Sequence, residues 1–83
     1  MFLIYSTISA QDISARQKTS VQIMAINKKF CQSTSEQTTK AIELAAIYII
    51  HGEYKNMKQQ MLKARSFSKN ADCQKSIDEF LGK

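Results

Sequence analysis

Leu44–Ala64, LAAIYIIHGEYKNMKQQMLKA, is the stretch that decides the fold. It reads as two amphipathic helices joined at one glycine, with Leu44, Ala45, Tyr48, Gly52, Tyr54, Met57, Met61 and Ala64 at helical offsets. From Ala41 to Ile50 only Glu43 is charged, and Leu44 to Ile50 is apolar all round, which predicts a buried central helix. Ser33 and Glu36 stand three apart ahead of it as a capping box. Gly52 ends it, because glycine adopts the left-handed conformation that closes a helix at least cost. The third helix is expected over about Glu53 to Ser68, with Tyr54, Met57, Met61, Ala64 and Ser68 on one face. Beside that face runs a basic stripe of Lys55, Lys58, Arg65 and Lys69, interrupted by Leu62.

The flanks extend the same pattern. A first helix is predicted from about Asp12 to Cys31, capped by Asp12 or Ser14. Ile13, Gln17, Met24 and Cys31 fall on one stripe, and Ile23, Ile26 and Phe30 on another, an arc wide enough to be touched from two sides. A short last helix runs from Cys73 to Leu81, capped by Asn70 or Asp72 and ended by Gly82. Cys73, Ile77, Phe80 and Leu81 form its single apolar stripe. With no proline in 83 residues and many good helix formers, the chain is expected to be all-α: one small bundle of about four helices around a central antiparallel hairpin.

Composition bounds the function. The net charge of +5 divides into +2 over residues 1–37, +4 over 38–71 and −1 over 72–83. A basic centre suits an acidic protein, a nucleic acid or an anionic surface, and equally a plain solvated face. With a single histidine, His51, no four-ligand metal site can be assembled from Cys and His alone, and His51 reads as a helix-end residue. There is no glycine-rich phosphate loop, no G-x-S-x-G and no H-E-x-x-H, and Asp78 and Glu79 diverge by about 100° on a helix. No catalysis, cofactor or metal is expected. Cys31 and Cys73 both lie on apolar stripes; the residues alone leave open a bridge between the chain's ends or two packed thiols.

Phe2-Leu3-Ile4-Tyr5, followed by small residues up to Ala10, resembles the tail of a secretory signal, with cleavage after Ala10 leaving the domain 11–83. It lacks a basic residue before the apolar run, and a short N-terminal element packed on the core is the alternative. No stretch is long enough to span a bilayer.

Two family resemblances add to this. Residues 38–71 resemble a single tetratricopeptide repeat, whose first helix presents Leu, a small residue and Tyr to the second across a glycine turn. Leu44, Ala45, Tyr48, Gly52, Tyr54 and Ala64 match; Met57, Met61 and Lys69 stand where alanine, an aromatic and proline are usual. The order of a helix ending Lys28-Lys29-Phe30-Cys31, two middle helices and a short helix beginning at Cys73 is similar to the disulfide-bonded pilotins of bacterial secretins. The first resemblance implies protein binding. The second implies a Cys31–Cys73 bridge, a periplasmic or secreted location and a grip on a helix of a larger partner.

The expectation is therefore a disulfide-stapled protein-binding module of adaptor or chaperone type. Tyr48 and Tyr54 would shape its groove, and Lys55, Lys58, Arg65 and Lys69 would select an acidic helix or peptide. The alternative is a small basic cytoplasmic protein that binds nucleic acid or regulates. It needs reduced cysteines and rests on four charges with no helix-turn-helix spacing. A homodimer that completes its own core is the third reading.

Overall fold

In the computed structural model, residues 10–32 and 35–82 are described, and they form an all-α bundle. Its elements are α1 (Ala10–Ile26), running on as a π-helical turn over Asn27–Cys31, α2 (Glu36–Ile50), α3 (Tyr54–Phe67) and α4 (Ala71–Leu81). Residues 1–9 of the signal-like segment 1–10 and the predicted cap Ser33 lie outside the described residues, and Ala10 opens α1. Within them no helix is long and apolar enough to cross a membrane.

Each boundary has a local cause. Ser35 caps α2, its hydroxyl accepting the Thr38 N–H at 3.2 Å. At the other end the Gly52 N–H donates to the Ile49 carbonyl (3.0 Å) and the Glu53 N–H to the Tyr48 carbonyl (2.9 Å). This paired closure needs a left-handed residue, which Gly52 supplies at φ 77°. His51 is the exposed C-cap of α2. Asn70 caps α4 by accepting the Cys73 N–H at 2.9 Å. Ser68 fixes the α3–α4 turn: its hydroxyl accepts the Asn70 N–H (3.1 Å) and its carbonyl accepts the Gln74 side-chain amide (2.7 Å).

α1, α2 and α3 form an up–down–up layer. The hairpin at Gly52 makes α2 and α3 antiparallel. α1 runs antiparallel to α2 on its other flank, since the Ser20 hydroxyl donates to the Ala46 carbonyl (3.0 Å) and the Arg16 guanidinium lies against Gly52. The core lies between these helices. Ile42, Ala45, Met61, Ala64, Cys73 and Ile77 are all fully buried, with Ile23 of α1 and Met57 of α3 beside them. The π turn keeps α1 in phase: its wider spacing holds Cys31 in line with buried Ile23 and Asn27 instead of letting the stripe drift off the core.

Two expectations are corrected. α2 is not buried all round: Ala41, Ile42, Ala45, Ala46 and Ile49 are inside, but Leu44, Ile47 and Ile50 stand about half exposed on the far face. The layer is one helix thick there, so an all-apolar helix still shows one side to water. On α1, Ile13 and Met24 of the first stripe are likewise exposed, although the helix is touched from two sides, by α2 and, more slightly, by α4.

Candidate functional site

α4 is held at its base by three different interactions. Cys31 and Cys73 are bridged, both sulfurs fully buried. Ile77 is fully buried one turn further along. Arg65 of α3 clasps Asp78 in a two-pronged pair, Nε to Oδ1 at 2.6 Å and Nη2 to Oδ2 at 2.9 Å. Such a fork matches carboxylate geometry, and the hydrogen bonds, followed by the charge of Asp78, raise the Arg65 pKa further above its ordinary value. The guanidinium stays charged at every working pH.

These fastenings set α4 between α1 and α3, rising from the closed end of the layer antiparallel to both. At 11 residues it spans roughly 16 Å, about half the length of α1 and its π turn together. Beyond its end, no other described residue fills the space between α1 and α3. The result is a groove of about 680 Å³, within the ~300–1,000 Å³ range of sites that bury a ligand.

The groove has a lining of mixed polarity. Ile26 and Phe30 line it from α1 and the π turn, Met57 from α3, and Phe80 and Leu81 from α4. Met57 is fully buried at its base, whereas Phe30 remains 41% exposed, a large aromatic face left in water. Thr19 and Gln22 on one side and Tyr54 on the other supply hydroxyl and amide groups; Lys29 and Glu79 supply one charge of each sign. Lys58 sits with its ammonium 5.4 Å from the centre of the Tyr54 ring, a cation–π distance that places a second positive charge by the tyrosine edge.

Of the residues expected to bind a partner, Tyr54 alone lines this groove. Tyr48 packs half-buried against the core instead. Lys55, Lys58 and Lys69 are exposed on α3 and in the turn after it, while Arg65 is occupied by Asp78. The apolar residues that line the groove were read as members of apolar stripes, on α1 and α4, or as the core face of α3. Phe80 carried the available signal, a large aromatic at the margin of the α4 stripe; Phe30 lies inside its own stripe and gave none.

Among the described residues no group of three or more His, Cys, Asp or Glu side chains could hold a metal ion. The site therefore offers shape, apolar surface and a few directed polar groups. Set against known proteins, the chain matches no family model, no curated protein and no solved structure.

Proposed function

We propose that this protein is a disulfide-stapled protein-binding module that takes an amphipathic helix or short peptide of a larger partner into the groove between α1, α3 and α4. The observation that carries the proposal is the groove itself, with Ile26, Phe30, Met57, Phe80 and Leu81 among its lining beyond the end of a short α4. An exposed aromatic in a concave apolar site suits the anchoring side chains of a bound helix, whose apolar face meets the groove at successive turns. Lys29 and Lys58, with one acidic residue, Glu79, among the lining groups, favour a ligand bearing carboxylates at the groove edge.

The tetratricopeptide-like offsets over residues 38–71 and the pilotin-like order of helices and cysteines support the same class of function. The Cys31–Cys73 bridge is compatible with an oxidising compartment, and the reading carries with it a periplasmic or secreted location. The nucleic-acid alternative gains nothing from the pairing of Arg65 with Asp78, which removes one charge from the stripe it relies on.

The test is site-specific photo-crosslinking in the native host. A photoreactive phenylalanine analogue at Phe30, in the groove, is compared with the same analogue at Leu62, which is 40% exposed but outside it. Adducts with one partner peptide are expected from Phe30 and not from Leu62, and Phe80→Asp should abolish them with the fold intact. Equal adducts from both positions, or none from Phe30, would remove the proposal.

A further inference from the structure

The flank of the α1–α2 pair opposite the groove carries a second apolar surface. Ser20 marks the side of α1 that meets α2. At about 100° per residue, Thr19 and Ile26 turn from it toward the groove, while Met24 and Val21 turn the other way. On α2, Ile50, Glu43, Ile47, Lys40 and Leu44 fall within roughly 120° of arc, opposite buried Ala41, Ala45 and Ile49. Because the two helices run antiparallel, these exposed arcs share one side of the layer. Val21 is 67% exposed and Ile47 52%, with Ile13, Met24, Leu44 and Ile50 between 40% and 47%.

We infer that this outer face is a self-association surface and that its occupant is a second copy of the chain. Area is the first reason. Six side chains of this size at these exposures leave on the order of 500 Å² of apolar surface in water, comparable with the largest patch a monomer ordinarily shows. With its polar rim it approaches the ~800 Å² per partner of a stable interface. Shape is the second. A pair of antiparallel helices presents ridges and grooves that fit those of another such pair, so two copies build a two-layered helical sandwich.

Charge is the third reason, and it selects this face over the others. The chain carries +5, so two copies repel wherever basic surface meets basic surface. The surplus is most concentrated on α3, in Lys55, Lys58 and Lys63. On the outer face Lys28, about 80° round from Ser20 and one turn beyond Met24, and Lys40 are set against Glu43 and Glu36, the last 3.6 Å from Lys40. With charges of both signs, this face meets its own copy with less repulsion than the α3 side would impose. It is also separate from the groove, so dimerisation leaves the groove open.

The test is sedimentation equilibrium of the disulfide-intact full chain from about 5 µM to about 1 mM, where a self-association constant in the usual range is read directly. A concentration-dependent dimer is expected. Ile47→Lys and, separately, Leu44→Lys should each weaken it at least about 100-fold, as central apolar contacts do. Helix content and thermal midpoint should be unchanged, since both side chains are about half in water already. Leu62→Lys on α3, of similar exposure, should leave the dimer as it is. A chain that stays monomeric to about 1 mM, or a dimer that survives both α2 substitutions, overturns the inference. So does a monomer whose Ile47 face is protected only by a different protein.

Discussion

Consider the double variant Cys31→Ala/Cys73→Ala. The bridge joins residues 42 apart and so closes about half the chain in the unfolded state. The loop-entropy relation gives that constraint a value of about 4 kcal/mol at 25 °C. Both sulfurs are fully buried, so their removal also leaves small voids that add to the loss. A domain of this length has a total stability of roughly 4–12 kcal/mol, so the variant is expected to fall close to the threshold of folding. Urea titration followed by far-UV circular dichroism measures it, and the thermal midpoint should drop by roughly 15–30 °C. The denaturant slope should rise, because the unbridged unfolded chain exposes more surface. Reduction of the wild-type chain with a small thiol reductant should reproduce the effect. The reasoning fails if the double variant loses less than about 1 kcal/mol, since a bridge that constrained the unfolded chain could not then be dispensable.

Further outcomes follow from single positions. Ile77→Ala removes a fully buried side chain from α4 and should cost about 2–4 kcal/mol in urea titration; hydrogen exchange should show the loss first in residues 71–81. The side-chain oxygen of buried Asn27 has no hydrogen-bond partner among the described residues. Asn27→Leu should therefore stabilise by about 1 kcal/mol, and an equal loss in the same measurement would contradict the unpaired oxygen. Gly52→Ala forces a side chain to φ 77° and brings its Cβ within 3.0 Å of the Arg16 guanidinium carbon. A loss of about 1–2 kcal/mol is expected, mostly backbone strain because Arg16 can swing aside; a neutral result by thermal melting would argue against the left-handed closure of α2.

Much of this protein was legible in one dimension. Helix periodicity, two glycines and the absence of proline are local signals, and local signals were enough for four helices and the central hairpin. The single stripe of Cys73, Ile77, Phe80 and Leu81 also read correctly, because a short amphipathic helix has only one face to bury. Cap identity shifted within one turn: Ser35 caps α2, where Ser33 had the better box spacing to Glu36. Neighbouring serines are chemically equivalent, and only the backbone path chooses between them.

What the sequence could not decide is which of two apolar faces meets a neighbour. Leu44, Ile47 and Ile50 are as hydrophobic as Ile42 and Ile49, yet only the second pair is covered. That difference comes from the order of helices in the layer, not from any residue's own preference. The same holds for Arg65, which read as a free member of a basic stripe until α4 brought Asp78 alongside. The residues alone left a bridge and two packed thiols open, with the bridge expected from the pilotin resemblance, and the docking of α4 against the end of α1 brings the sulfurs together. The groove, too, exists only in three dimensions. Its floor gathers Ile26, Met57 and Phe80 from three helices, and it stays open because α4 ends halfway along the cleft between α1 and α3. Local composition and periodicity determine which helices form; burial is a property of what lies next to them, and that is settled only when the chain packs.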